Sequence, residues 1–206
     1  MKELSIPFKE EISPFKTGSN WKEFRGFSPS GLVPCLIDGS QKVWDSLAIT
    51  EYLAEKHPEV WPLELEARTW ARCAAAEMHS GFFVLRNQCP MNCGLVVRLS
   101  EISESLQKDI SRIDELWNEG LNRFQGPFLA GRKFTAVDAF YAPVAFRIKT
   151  YGLNMSAPAL EYVNYLLSIR SLKIWLEDAL KEPWREEGHE EDSVKSGVLV
   201  EDIRKA

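Results

Sequence analysis

Two residue pairs, Val33-Pro34 and Asp45-Ser46, have the types and the spacing to bind a small peptide-like molecule. A cis peptide bond before Pro34 would expose the backbone N–H and C=O of Val33 to such a ligand. Asp45-Ser46 opens an amphipathic stretch, and the first N–H groups of a helix lack partners and attract an anion. Together the two pairs could hold a ligand by its backbone and its carboxylate. The alternative is an ordinary hairpin followed by an ordinary helix cap.

The segment 31–55, GLVPCLIDGSQKVWDSLAITEYLAE, predicts the elements that position these residues. Two short apolar runs, CLI and KVW, flank Asp38-Gly39, a pair that favours a tight turn. A strand, a turn and a second strand therefore lead into a helix that begins at Asp45. This helix would place four apolar side chains against the sheet: Leu47, Ile49, Tyr52 and Leu53.

Composition and net charge narrow the function. The chain has 206 residues, 45% of them hydrophobic and 27% charged, which is ordinary for a soluble globular protein of one or two domains. A net charge of -5 without a basic stripe argues against a nucleic-acid partner. No apolar run approaches the length of a membrane span, and no signal-peptide apolar region is found at the N-terminus. We therefore expect a cytoplasmic protein without a membrane partner.

The four cysteines are too few and too scattered for a disulfide framework. Cys89 and Cys93 have no second ligand pair at zinc-like spacing, and the three histidines lie elsewhere in the chain. We expect reduced thiols and no metal site.

The proline-bracketed segment 58–63 is the predicted boundary between two domains. Residues 1–57 have the pattern of a small α/β unit, which includes a polar, edge-like strand at 9–13. Residues 63–184 have a helical pattern throughout. The charged stretch 185–206 carries only sparse apolar residues, so we expect a tail that is disordered or loosely docked.

The predicted helical unit carries clear local signals. Residues 65–87 are predicted to be helical, and residues 99–124 place apolar side chains at steps of three and four, which is typical of one buried helical face. Thr135 and Asp138 form a predicted capping box, in which the aspartate reaches back to the N–H of the threonine. Ser171 is the predicted cap of the last helix.

Three motifs resemble the cytosolic glutathione S-transferase family. FSPSGLVPCLIDGSQKVWDSLAITEYLAEKHP is similar to the second half of its thioredoxin-like domain, and GPFLAGRKFTAVDAFYAPV is similar to the capping-box and hydrophobic-staple motif of its helical domain. AEMHSGFFVLRNQCPMN, at 76–92, resembles a bacterial subgroup close to the zeta, maleylacetoacetate-isomerase-like branch. The resemblance covers about residues 4–184 and implies a thioredoxin-like α/β domain followed by an all-helical domain.

The resemblance also implies roles for individual residues. The backbone of Val33, before Pro34, would pair with the cysteinyl part of glutathione. Ser46 would bind the γ-glutamyl carboxylate, and Asp45 would lie near the γ-glutamyl ammonium, which agrees with the charge preference of a helix N-terminus. Glutathione would be the co-substrate, a small electrophile would bind between the domains, and the protein would be a homodimer that acts in detoxification.

Three side chains of the segment 76–92 are candidates for the substrate pocket: Met78, His79 and Arg86. His79 would line the acceptor pocket or the domain interface, or it would be a partly buried histidine bonded to the backbone. Arg86 would meet an acidic substrate or a glutathione carboxylate, or it would form a surface or interdomain ion pair. Cys35 is better read as a small core residue than as a replacement thiol.

The family's catalytic serine, cysteine or tyrosine is expected upstream of Met1, in a strand and helix of about 20 residues that this N-terminally truncated sequence lacks. A late start codon, a degraded gene copy or a real non-catalytic protein would each explain this. We therefore expect the chain as written to be unstable or to lack conjugating activity, because glutathione's thiol would stay largely protonated. The preferred function is a glutathione-dependent transferase or isomerase, and the alternative is a non-catalytic glutathione-binding or scaffold protein.

Overall fold

The computed structural model describes residues 1–16 and 18–205. In these ranges, short 3-10 turns at Lys2–Leu4, Pro58–Val60 and Ile203–Lys205 accompany the main elements. The strands and helices in chain order are α1 (Trp21–Phe24), β1 (Cys35–Asp38), β2 (Gln41–Trp44), α2 (Ser46–Lys56), α3 (Leu65–Ser80), α4 (Phe83–Gln88), β3 (Leu95–Leu99), α5 (Glu104–Phe124), α6 (Ala136–Tyr151), α7 (Ala157–Ser168), α8 (Arg170–Lys181), α9 (Glu187–Val194) and β4 (Gly197–Asp202).

The predicted hairpin is confirmed, with β1 and β2 antiparallel and Cys35 opposite Trp44. Gly39 has a φ of 59°, a value that favours glycine at the turn. The sheet of this hairpin has two strands in the described part of the chain. The predicted strand at 9–13 was wrong, because no strand of residues 1–16 and 18–205 pairs with it.

The predicted helix over 65–87 is divided into α3 and α4. Gly81 is extended and Phe82 has a φ of 56°, so the helical hydrogen-bond ladder is interrupted between α3 and α4. The carboxylate of Asp109, on α5, then accepts the N–H of Leu85 at 2.9 Å. Beyond this break, Arg86 of α4 donates to the carbonyl oxygens of Met78 and His79 at the end of α3.

The main core lies among the helices that follow α2. Trp117, on α5, is fully buried and meets the rings of Tyr141 and Tyr162 edge-on, with centroids 5.6 and 4.9 Å away. Helix α6 packs against both α3 and α7. The predicted apolar face of α5 is confirmed at Leu106, Ile110 and Ile113, although the helix begins only after its cap, Ser103.

The predicted capping box at the start of α6 is confirmed. Asp138 accepts the N–H of Thr135 at 2.9 Å and also binds the N–H of Leu129 and the hydroxyl of Tyr162, both at 3.0 Å. This buried carboxylate therefore joins the start of α6 to the preceding loop and to α7.

The expectation of a disordered or loosely docked tail was wrong. Residues 187–194 form α9, and β4 pairs antiparallel with β3, a strand that the helical prediction for 63–184 also missed. Arg185 binds the carboxylate of Asp202 with two hydrogen bonds of 2.9 and 2.8 Å. The pairing gives the last segment a backbone ladder with β3, whose Leu95 and Val97 are buried, while Val198, Leu199 and Val200 of β4 are exposed.

Helix α8 begins at Arg170 rather than at the predicted cap, Ser171. The serine lies inside the first turn, and its hydroxyl donates to the carboxylate of Glu3 at 2.6 Å. No helix in the described part of the chain is both long and apolar enough to cross a membrane.

Candidate functional site

A cavity of about 420 Å³ brings residues of α2, α3, α4 and α6 together. Four of the residues singled out from the sequence line it or stand at its wall: Ser46 from α2, Met78 and His79 from α3, and Arg86 from α4. The sequence separation between Ser46 and Arg86 shows that this site is built by tertiary packing. The remaining lining residues are Thr50, Met91, Ala139, Phe140, Pro143 and Arg147.

Helix α2 presents Ser46 to this cavity through a capped N-terminus. Asp45 Oδ1 accepts the N–H of Leu47 at 2.8 Å, so the carboxylate satisfies one of the free donors of the first turn. The carbonyl of Ser46 accepts the hydroxyl of Thr50 at 2.8 Å. Among the described residues the Ser46 hydroxyl has no hydrogen-bond partner, so it is available to a ligand.

The structure places Val33 and Pro34 outside the lining of the Ser46 cavity. Their peptide bond is cis, as predicted. The Val33 side chain is 42% exposed, and its backbone N–H and C=O make no hydrogen bond within residues 1–16 and 18–205. Asp45 lines a separate cavity of about 570 Å³ between β2 and α2.

His79 links the two sides of the site. Its Nε2 lies 3.3 Å from Asp45 Oδ2, and its ring meets that of Phe140 edge-on at 6.4 Å. His79 therefore lines the cavity, and its partner is the carboxylate of Asp45 rather than a backbone group.

Arg86 points back toward the end of α3. Its Nη2 donates to the carbonyl oxygens of Met78 and His79, the latter at 3.3 Å. Its Nε is buried and has no partner in the described structure, and the alternative of a surface or interdomain ion pair is not found among the described residues. The guanidinium therefore keeps donors that the protein does not use.

Arg147 is a cavity residue that the sequence reasoning missed. It is 9% exposed, and its Nε donates to the Cys89 carbonyl at 2.7 Å. Burial, and then the nearby guanidinium of Arg86, lower the pKa of Arg147. A charged residue within the buried run of α6 was the available signal, but the sequence does not show which elements that run faces.

The cysteines lie outside the lining of this cavity. Cys35 is half-buried, and its thiol donates weakly to the Phe27 carbonyl at 3.8 Å, in keeping with a packing role. Burial raises the pKa of Cys89 to about 12, so this thiol stays protonated. The described residues contain no cluster of histidine, cysteine and carboxylate side chains suited to a metal ion.

Comparison with known proteins identifies the family of the chain. Residues 1–56 match the family model described as "Glutathione S-transferase, N-terminal domain". A structure of a glutathione transferase homolog from Burkholderia gl BGR1, solved with bound glutathione, has a TM-score of 0.64 and 21% identity, covering 88% of this chain and 88% of that chain. At this identity the structural likeness supports the fold alone.

Three curated proteins give the sequence relationship. "Glutathione S-transferase 1" of Dianthus caryophyllus is 30% identical over 80% of this chain and 76% of its own length. "Glutathione S-transferase zeta class" of Euphorbia esula is 32% identical over 65% of this chain and 61% of its own length. "Probable maleylacetoacetate isomerase" of Vibrio cholerae is 28% identical over 68% of each. With its thioredoxin-like first domain and its helical remainder, the chain belongs to the glutathione S-transferase family, a family of enzymes.

Proposed function

We propose that this protein is a glutathione transferase that binds glutathione at the start of α2 and conjugates or isomerises a small electrophile. The N–H and hydroxyl of Ser46 bind the γ-glutamyl carboxylate, because the first N–H groups of a helix are unpaired and favour an anion. Asp45 lies beside the γ-glutamyl ammonium. The backbone of Val33, before Pro34, pairs with the cysteinyl part of the tripeptide.

The observation that carries the proposal is the position of Ser46 on a cavity shared by α2, α3, α4 and α6. Glutathione anchored at Ser46 would place its thiol near an electrophile held against Met78 and His79. Holding both reactants in one site removes the entropy cost of bringing them together and so raises the rate. The apolar side chains of the lining suit the body of an organic electrophile.

The relatives support glutathione chemistry and one specific reaction. The Burkholderia gl BGR1 structure holds glutathione, and the Vibrio cholerae relative is named as a maleylacetoacetate isomerase. From the name of the Vibrio cholerae relative, we propose that this protein catalyses a cis–trans isomerisation in which glutathione adds to the substrate and then leaves. The protein is further proposed to be a cytoplasmic homodimer, with residues 1–57 as the glutathione-binding domain and residues 63–184 as the substrate-binding domain.

Two measurements on the full chain test this function. Calorimetric titration with glutathione should give saturable binding. A generic electrophile such as 1-chloro-2,4-dinitrobenzene should be conjugated to glutathione faster than without the protein, a result that would overturn the expectation, drawn from the sequence, of a chain without conjugating activity. Retention on glutathione-agarose without turnover of this electrophile or of maleylacetoacetate would instead identify a non-catalytic glutathione-binding protein. Absence of glutathione binding would contradict the proposal, and a gel-filtration mass of one chain would contradict the homodimer.

A further inference from the structure

The cavity that holds Ser46 has an unbalanced charge. Its lining includes the guanidinium groups of Arg86 and Arg147 but no aspartate or glutamate. Neither arginine forms a salt bridge with another described residue. A cation that is largely withdrawn from water is ordinarily paired, because desolvation of an unpaired charge is costly.

Arg147 is a buried residue of the cavity lining with several contacts to the protein. Its Nε donates to the Cys89 carbonyl at 2.7 Å, and its Nη1 donates to the Pro143 carbonyl at 3.2 Å. Nη1 also lies 3.8 Å from the sulfur of Met91. These contacts fix the plane of the guanidinium and leave Nη2 without a protein partner among residues 1–16 and 18–205.

Arg86 supplies the second group of unused donors. The carbonyls at the end of α3 occupy its Nη2, its Nη1 has no partner in the described structure, and its buried Nε is unpaired. Burial, and then the nearby charge of Arg86, lower the pKa of Arg147, so the two cations repel each other. An anion between them would relieve this repulsion and accept hydrogen bonds from Arg86 Nη1 and Arg147 Nη2, the terminal nitrogens that have no partner in the described structure.

We infer that Arg86 and Arg147 bind a carboxylate of the electrophilic co-substrate, so that this transferase selects anionic electrophiles. The inference rests on the proposed function and names its substrate class. Phe140, Pro143 and Met78, which line the same cavity, would contact the apolar body of such a molecule. The planar fork of a guanidinium suits a carboxylate. Its positive charge would strengthen the binding of the acid and would add little to the binding of an uncharged analogue.

A matched pair of unreactive probes tests the inference on the full chain. Calorimetry would compare 4-nitrobenzoate with its methyl ester, first on the unaltered protein and then on Arg86→Gln, Arg86→Lys and Arg132→Gln. The last is the control, because Arg132 is exposed and lies outside this cavity. Circular dichroism would confirm that each variant is folded.

The acid should bind about tenfold or more tightly than the ester to the unaltered protein. Arg86→Gln should weaken binding of the acid about tenfold and leave the affinity for the ester unchanged. Arg86→Lys should keep part of the affinity for the acid, and Arg132→Gln should change the affinity for neither probe. Equal affinity for acid and ester, or an equal loss of both in Arg86→Gln, would overturn the inference.

A titration with glutathione separates the electrophile from glutathione itself as the source of the carboxylate. Simultaneous binding of glutathione and 4-nitrobenzoate supports a separate electrophile site. Mutual exclusion of the two would overturn it and assign the arginines to a carboxylate of glutathione. If the protein bound no glutathione but still preferred the acid in an Arg86-dependent way, the proposed function would fail and the anion site would stand.

Discussion

Asp45 Oδ2 lies 3.3 Å from His79 Nε2, and this pair joins the residue that caps α2 to the end of α3. The same carboxylate accepts the N–H of Leu47 at 2.8 Å. Asp45 has a φ of 73°, a left-handed value that is costly for a residue other than glycine. One side chain thus contacts both the first turn of α2 and the end of α3.

Loss of this pair should cost little by itself but should show coupling. In a double-mutant cycle with Asp45→Asn and His79→Gln, we expect a coupling free energy of about 0.5 kcal/mol, because both side chains are partly exposed and solvent screens them. Asparagine keeps the capping oxygen, so the cycle removes the charge rather than the cap. Chemical denaturation of the unaltered protein, the two single variants and the double variant measures the coupling. If the losses of unfolding free energy in the two single variants add up to the loss in the double variant, the contact contributes nothing.

Gly120, within α5, should not tolerate a side chain. A Cβ there would lie 2.5 Å from the carbonyl oxygen of Leu129 and would also overlap the ring of Trp70. Gly120→Ala should therefore lower the free energy of unfolding by about 1–3 kcal/mol.

Gly188, in α9, is the matched control, because its Cβ would come no closer than 3.4 Å to a flexible glutamate. Gly188→Ala should be neutral or raise the unfolding free energy by up to about 1 kcal/mol. Equal effects of the two substitutions in thermal melts would show that α5 and the Leu129 loop are not closely packed.

Asp138 should make stability depend on pH in an unusual direction. Burial raises its pKa from 3.8 to about 6 despite its hydrogen bonds. Between these values the native protein binds the proton more tightly than the unfolded chain does, so the contribution of this group is greatest below about pH 4 and is lost as the pH rises through about 6.

Asp138→Asn removes this titration but also disrupts the capping box, so it should be destabilising throughout. The difference in unfolding free energy between the unaltered protein and the variant should narrow by up to about 3 kcal/mol from pH 4 to pH 7. Urea titrations at several pH values give this difference. A difference that is constant, or that widens with pH, would mean that the carboxyl stays ionised in the fold.

The segment after Trp184 should stabilise β3. In the described structure β3 pairs with β4 alone, so a chain that ends at Trp184 loses the backbone hydrogen bonds of this ladder. Hydrogen exchange should show a large loss of protection for β3 amides and little change for those in the middle of α6. Unchanged exchange in β3 would contradict the pairing.

The features that could be predicted from sequence are those whose causes are local. Asp38-Gly39 determines the turn of the hairpin, and Thr135 and Asp138 lie three residues apart in one capping box. The pairing of β3 with β4 joins Leu95 to Asp202 across helices α5 to α9, and no local pattern encodes such a partner.

In the candidate site, too, some features follow from the local sequence and others only from the packing of the helices. The cis bond at Val33-Pro34 and the helix start at Ser46 follow from neighbouring residues. Arg147 joins the site because α6 packs beside α3 and its side chain lines the cavity together with Arg86 of α4, so this charged residue of a largely buried helix could not be assigned to a cavity beforehand.

The most direct test of the glutathione site is calorimetric titration of the unaltered protein, Ser46→Ala and Ser40→Ala with glutathione. Ser40 is an exposed turn residue of the same hairpin and lines neither cavity described here. We predict saturable binding by the unaltered protein, about tenfold weaker binding by Ser46→Ala because a hydrogen bond to a carboxylate is lost, and no change in Ser40→Ala. Equal affinities of all three proteins for glutathione would contradict Ser46 as the anchor of the γ-glutamyl carboxylate.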